Sequence, residues 1–232
     1  MKHKINIRGV MIPNNYKWYY NLLGMDAVCP ADVQKILDAF QDGDEIEVYI
    51  NSPGGVIDVG SEIYTLLRSK KDHVKIYITG EACSAASIVA MAGYCEMAPT
   101  ALMMVHCVST RASGNHNDME HIAEVLHTAD QALCTAYTAK SGMSQREALD
   151  MMDKETWLTA EQAKEKGLVD AVMFEDAEKS APLVAGPLFA LPSTEQMEKV
   201  KRMLKDAGSD NADAAFLLQT KLNLLKMRGE TE

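Results

Sequence analysis

Alternating strand and helix patterns run through most of the chain and restrict the folds that it can adopt. The runs "EIEVYI" (45–50) and "VKIYIT" (74–79) are rich in β-branched residues, and each is followed within a few residues by apolar residues at helical spacing. Strands that alternate with helices form βαβ units, in which the strands pair in parallel beneath the helices. The sequence therefore predicts an α/β fold around a mostly parallel sheet.

The remaining elements follow from the same patterns and from capping signals. Two capping boxes, Ser144 with Glu147 and Thr159 with Gln162, mark the starts of two helices. The other predicted helices cover residues 30–40, 56–68, 84–92 and about 117–140, and the other predicted strands lie near residues 4–12, 101–106 and 168–174.

The composition changes beyond the last predicted strand. Three prolines fall within residues 181–192, and because proline cannot continue a helix this stretch is interpreted as a linker or an extended arm. Residues 193–232 hold two charged amphipathic stretches, whose apolar side chains would be exposed unless a partner covers them. We therefore expect an α/β domain over residues 1–180, the linker, and a helical C-terminal extension.

Charge, hydropathy and cysteine spacing exclude several classes of protein. A formal net charge of −10 argues against a nucleic-acid partner, because phosphates attract basic surfaces. No run of 18 apolar residues occurs, and the start of the chain lacks the apolar segment of a signal peptide, so we expect no membrane association and a cytoplasmic location. The five cysteines form no CxxC pair and the histidines form no ligand cluster, which predicts reduced thiols, no bound metal and no cofactor.

Three segments at the ends of predicted strands carry residues suited to catalysis. The turn "NSPGG" (51–55) follows one strand, Ser84 stands where the next strand meets a helix, and His106 ends a third strand. Open parallel sheets bind their ligands at the carboxyl ends of the strands, so these segments should lie near one another. Taken singly, each has a structural explanation: a tight turn, a helix N-cap and a core histidine.

Taken together, the three segments predict a serine hydrolase. Glycines let backbone amides approach a ligand, and the free amides of a helix start favour a developing anion. A histidine near the serine can take its proton as a general base. No G-x-S-x-G sequence surrounds Ser84, so the nucleophile turn of the α/β-hydrolases is not predicted.

Four quoted segments resemble the ClpP family, the proteolytic subunits of the Clp protease. They are "YINSPGGVIDVGSEIY", "GEACSAAS", "LMMVH" and "WLTAEQAKEKGLVDAV", and the resemblance extends over roughly residues 5–175. It implies a serine endopeptidase of the ClpP/crotonase-like fold, with repeated ββα and βαβ units. It also implies that Ser84 is the nucleophile, His106 the base, and the backbone amides of Gly55 and Ala85 the oxyanion donors.

The acid of the catalytic triad departs from the family pattern. In the family an aspartate lies two residues before the aromatic residue of an "FLSA"-like segment. Here the aromatic residue is Trp157, and the residue two before it is Glu155. The resemblance therefore assigns the role to Glu155, with the neighbouring Asp153 as the alternative.

A second departure follows the histidine. The stretch "HCVSTRASGNHNDMEHI" lacks the proline–glycine pattern of housekeeping members and is more similar to the ClpP-related head maturation proteases of phages and prophages, which commonly carry a C-terminal extension. This likeness implies cleavage of scaffold and capsid proteins in the cytoplasm of a bacterial host, without an unfoldase ATPase. The alternative is a housekeeping subunit of the ATP-dependent Clp protease.

Further alternatives belong to other classes of protein. The fold is shared with crotonase-like acyl-CoA enzymes, which do not require a serine and a histidine at these positions. A catalytically inactive, structural ring subunit is the other alternative. The family resemblance also implies a homo-oligomeric ring that acts on protein or peptide substrates, with the long helix and the loop before it, about 107–141, as the "handle" between rings.

Overall fold

A seven-stranded sheet lies at the centre of residues 1–175, which are the residues that the computed structural model describes. Its strands are β1 (Lys2–Arg8), β4 (Glu45–Ser52), β5 (Val74–Cys83), β6 (Tyr94–Met97), β7 (Leu102–Val105), β8 (Thr156–Leu158) and β9 (Ala171–Val172). Two short strands, β2 (Val10–Met11) and β3 (Ala27–Val28), form a separate parallel pair. The predicted linker and extension, residues 181–192 and 193–232, lie outside the described residues.

Seven α-helices accompany these strands in the described part of the chain. They are α1 (Lys17–Leu22), α2 (Pro30–Leu37), α3 (Ile57–Arg68), α4 (Ala85–Ala90), α5 (His116–Ser141), α6 (Gln145–Asp153) and α7 (Ala160–Glu165). Both capping boxes predicted from the sequence form, because Ser144 accepts from the amide of Glu147 and Thr159 accepts from the amide of Gln162. None of the helices in residues 1–175 is both long enough and apolar enough to span a bilayer.

The sheet is parallel in all but one of its pairings, which confirms the predicted α/β fold. The order is β1-β4-β5-β6-β9, with β7 also paired to β5 and β8 antiparallel to β7. The ten-residue strand β5 changes partner along its length: Lys75–Ile78 pair with β6, whereas Glu81–Cys83 pair with β7. This change brings the end of β7 beside the end of β5, where the predicted catalytic residues lie.

The core is aliphatic, as an aromatic content of only 6% requires. Alternate residues of β4 and β5, such as Ile46, Val48, Ile76 and Ile78, are fully buried between the sheet and its helices. Helix α4 is buried along its whole length. Tyr137 of α5 is the one aromatic side chain buried in the described part of the chain.

Several predicted boundaries differ from the observed ones. The strand predicted over 4–12 is two strands, because Gly9 has a φ of +71° and turns the chain between β1 and β2. The strand predicted over 168–174 reduces to the two residues of β9, since residues 168–170 form a bend and residues 173–174 a turn. The strands β6 and β8 and the helix α1 were not predicted, because each is too short to establish a period.

Candidate active site

Ser84 occupies a strained turn between β5 and α4. Its backbone has φ +55° and ψ −127°, a conformation that a residue with a side chain rarely adopts. The amide of Ser84 donates to the carbonyl of Met104 at 2.9 Å, which fixes the turn to the neighbouring strand β7. A sharp strand-to-helix turn of this kind presents the serine hydroxyl at the sheet edge, and it forms here without the G-x-S-x-G sequence.

His106 lies directly after β7, and its Nε2 is 2.8 Å from the Oγ of Ser84. The two residues are 22 positions apart in the sequence, and the partner change of β5 brings them together. The imidazole is half-buried. A serine hydroxyl in hydrogen-bonding contact with a histidine is the arrangement that activates a serine nucleophile.

The glycine turn that follows β4 forms one wall of the same cleft. Met11 donates its amide to the carbonyl of Gly54 at 2.8 Å, and Val56 donates its amide to the carbonyl of Met11 at 3.0 Å. Because these two bonds bracket Gly55 in a parallel bridge, the amide of Gly55 points away from β2. Gly55 and Ala85 both line the cleft that contains Ser84 and His106.

The amide of Ala85 is a second donor beside the nucleophile. Ala85 is the first residue of α4, and the first amides of a helix have no partner within that helix. Gly60 on α3 permits this close packing, because a Cβ built on it would lie 2.9 Å from the Cβ of Ala85. The cleft therefore has amides on two sides of the serine.

The two acid candidates lie near His106, but the structure does not bring either carboxylate to it. Glu155 is exposed, has a φ of +48°, and accepts a hydrogen bond from Nε1 of Trp157 at 3.3 Å. Asp153 is exposed and accepts from Sγ of Cys107 at 3.1 Å. Within residues 1–175, Ser84 is the one side chain that forms a hydrogen bond with the His106 ring.

The strand register does not choose between the two candidates. In the antiparallel pair of β7 and β8, Met104 lies opposite Trp157 and Val105 opposite Thr156, and the pairing ends there. Glu155 has left-handed backbone and belongs to the turn before β8, and the amide of Cys107 donates to the carbonyl of Met152 at 3.2 Å. Both candidates therefore lie in the segment directly before β8, beside the end of β7.

Asp130 supports the loop that follows His106, and the sequence analysis missed it. Its side chain is 6% exposed, and its Oδ1 accepts from the amide of Val108 at 2.6 Å. Asp130 falls on the apolar stripe of α5, between Leu126 and Leu133. An aspartate at such a position is the sequence signal that could have identified it, because a buried carboxylate needs a donor.

The thiols near the nucleophile are poorly suited to compete with it. Burial raises the pKa of the Cys83 thiol to about 12, and the charge of Glu81 acts in the same direction. Burial and a hydrogen bond to Asp153 likewise raise the pKa of Cys107 to about 12. Both therefore remain thiols near neutral pH, whereas the thiolate is the reactive form. No group of three or more metal-ligating side chains occurs within residues 1–175.

Comparison with known proteins identifies the family. The family profile described as Clp protease matches residues 32–176, which is more than half of the chain. The chain belongs to the Clp protease family. Two ATP-dependent Clp protease proteolytic subunits, from two strains of Bacteroides fragilis, are each 32% identical to it over 142 residues, or 60% of this chain. The matched region covers 69% of one relative and 64% of the other, so the chain spans about two thirds of their length.

The match to the Clp protease family includes every cleft residue described above except Met11. Residues beyond 176 lie outside it, and so do both the linker and the extension that the composition predicts. The α/β fold with a mostly parallel sheet is consistent with the ClpP fold.

Proposed function

We propose that this chain is a serine endopeptidase that acts through an acyl-enzyme on Ser84. The observation that carries the proposal is the 2.8 Å contact between Oγ of Ser84 and Nε2 of His106 at a strained turn. Strained backbone in a folded protein is retained where the surrounding structure holds it, and it is concentrated at functional sites. Membership of the Clp protease family supports the same chemistry.

Each group of the cleft has a role in this mechanism. His106 takes the proton from Ser84 as its Oγ attacks the carbonyl carbon of the scissile peptide bond. The negative charge that develops on the carbonyl oxygen is stabilised by the amides of Gly55 and Ala85. His106 then gives the proton to the leaving amine, and a water molecule, activated by His106, hydrolyses the acyl-enzyme and restores Ser84.

Glu155 is our proposal for the acid that orients His106. Its position two residues before Trp157 supports Glu155, and the carboxylate of the alternative, Asp153, is engaged by Cys107. Because Glu155 is exposed, its side chain can leave Trp157 without disturbing the core, and we propose that it then turns to Nδ1 of His106. In that position it would fix the tautomer of the base and stabilise the imidazolium.

For the biological role we propose head maturation in a phage or prophage, with scaffold and capsid proteins as substrates and the cytoplasm of the bacterial host as the location. The loop sequence after His106 and the C-terminal extension support this role. The relatives named ATP-dependent Clp protease proteolytic subunit support the second candidate, a housekeeping subunit that works with an ATPase. In either role we propose a homo-oligomeric ring.

Two assays test this proposal. Hydrolysis of a fluorogenic peptide should be lost in Ser84→Ala, and an equally folded Ser84→Ala that retained the activity of the wild type would exclude the serine mechanism. A wild type without peptidase activity would favour one of the two alternatives, and turnover of an acyl-CoA thioester would then separate a crotonase-like enzyme from an inactive ring subunit. Processing of purified scaffold and capsid proteins in the absence of ATP would support head maturation. Degradation of folded proteins only with ATP and an unfoldase would support the housekeeping role.

A further inference from the structure

A buried pair of hydroxyl groups joins helix α4, which begins directly after the nucleophile, to helix α5. Oγ of Ser87, on α4, is 2.7 Å from the hydroxyl of Tyr137, on the long helix α5. Ser87 is 0% exposed and Tyr137 is 1% exposed. Neither residue has a role in the mechanism above. Buried hydroxyl groups lower the stability of a fold unless each forms its hydrogen bonds, so we asked which bonds this pair forms.

The carbonyl oxygen of Ser84 determines which hydroxyl group is the donor in each hydrogen bond. Oγ of Ser87 also lies 2.6 Å from the carbonyl oxygen of Ser84, and that oxygen can only accept. Ser87 must therefore donate its one proton to Ser84, and Tyr137 must donate its proton to Ser87. Burial raises the pKa of Tyr137, so the phenol remains protonated and able to donate. The three groups form a chain from Tyr137 through Ser87 to the carbonyl of Ser84, named here the Tyr137–Ser87 relay.

The carbonyl that ends this relay belongs to the same peptide unit as the amide of Ala85. A peptide unit is planar, and its C=O and N–H point in opposite directions, so holding one fixes the other. The amide of Ser87 binds the same carbonyl at 2.9 Å, which adds a second restraint. A carbonyl that accepts strong hydrogen bonds also polarises its own peptide unit, which makes the N–H a better donor.

We propose that the Tyr137–Ser87 relay positions the amide of Ala85 for the oxyanion and maintains the strained backbone of Ser84. Ser87 and Tyr137 are positioning residues, since their hydroxyl groups act through the Ser84–Ala85 peptide. The relay also ties the nucleophile turn to helix α5 through the one buried aromatic residue of the described chain. This inference rests on the proposed serine peptidase mechanism.

Three variants test the relay: Ser87→Ala, Tyr137→Phe and the two combined. Ser87→Ala should lower kcat roughly tenfold with little change in KM, because a misplaced amide weakens transition-state contacts and leaves substrate binding intact. Tyr137→Phe should give a smaller loss in the same direction. A peptide boronate, which forms a tetrahedral anion on Ser84, should bind more weakly to Ser87→Ala by a similar factor.

The combined variant separates positioning from general stability. Ser87→Ala leaves the Tyr137 hydroxyl buried without a partner and should lower Tm, whereas removing both hydroxyls should recover much of that Tm. We expect kcat to remain low in the combined variant. The matched control is Ser69→Ala, which removes the same kind of bond, from a serine hydroxyl to the carbonyl three residues earlier at 2.7 Å, at an exposed position. It should leave kcat unchanged.

The possible outcomes separate this inference from the proposed function. A wild type without peptidase activity overturns both. An active wild type whose activity survives in Ser87→Ala overturns the relay alone, and so does a combined variant in which kcat recovers together with Tm. A fall in kcat with unchanged KM, weaker boronate binding and no recovery in the combined variant supports the relay.

Discussion

Gly54 lies against Ser84 so closely that a Cβ built on Gly54 would come within 2.8 Å of the Cβ of Ser84. The same atom would be 2.6 Å from the carbonyl oxygen of Cys83, and Gly54 has a φ of +92°. The glycine turn and the nucleophile turn therefore pack so closely that only glycine fits at position 54. This contact sets the glycine turn, which contains Gly55, directly against the start of α4, where Ala85 lies.

Gly54→Ala should reduce kcat by roughly a hundredfold or more, because the clash must displace one of the two turns. The control is Gly43→Ala. Gly43 has a φ of +91°, nearly that of Gly54, but no atom lies within 4 Å of its built Cβ. It should show only the cost of strain, about 1–3 kcal/mol in the free energy of unfolding, with unchanged kcat. Equal effects of the two substitutions on kcat would show that the turn contact does not position the site.

Glu155 and Asp153 are distinguished by converting each carboxylate into an amide. Glu155→Gln should lower kcat by roughly 10⁴, the loss expected when the acid of a triad becomes an amide and the base takes the wrong tautomer. Asp153→Asn should have little effect on kcat, since its carboxylate contacts Cys107 and not His106. Steady-state kinetics on a fluorogenic peptide measure both. A reversed order of effects would assign the acid to Asp153, and two silent variants would indicate a Ser–His dyad.

Cys83 should be almost inert toward iodoacetamide at neutral pH, although it adjoins the nucleophile. Burial raises its pKa from 9.0 to about 12. A raised thiol pKa lowers the thiolate fraction at any pH below it, here by about a thousandfold near pH 8, and reactivity should rise only as pH approaches 12. Alkylation followed by mass spectrometry, with the denatured chain as control, measures the rate. Fast alkylation of the native protein with loss of peptidase activity would point to a thiol nucleophile.

Truncation after residue 180 should leave the chemistry intact. Every cleft residue named above precedes residue 175, and the Clp protease match ends at residue 176. The truncated chain should hydrolyse a small acyl substrate with the kcat of the full chain. Mass photometry measures its oligomeric state, which this prediction does not require to stay the same. An unfolded or inactive truncated chain would show that the extension contributes to the protease domain.

The order of elements and the meeting of the three strand-end segments could be predicted because both depend on local patterns. Hydrophobic periodicity defines a strand or a helix within its own residues, and parallel strands end at one edge of the sheet. The change of partner along β5 could not be predicted in this way. It depends on where β7 lies in space, and it is what sets Ser84 beside His106.

Contacts between side chains of distant elements could not be predicted from the sequence either. The positive φ of Ser84 occurs in a turn whose amide donates to the carbonyl of Met104, on another strand. The Tyr137 hydroxyl meets Ser87 across 50 residues of sequence, where helical spacing indicated only an apolar core position. Such contacts are set by packing between elements, and no single segment encodes them.

The most direct test of the central claim is labelling with a fluorophosphonate probe, which forms a covalent bond with an activated serine. The wild type should carry the adduct on Ser84, as located by peptide mass spectrometry, and both Ser84→Ala and His106→Ala should lose it while remaining folded. Labelling of Ser84 that depends on His106 is the result that the Ser84–His106 contact predicts. An adduct on Ser87 or Cys83, or no labelling of the folded wild type, would contradict the account.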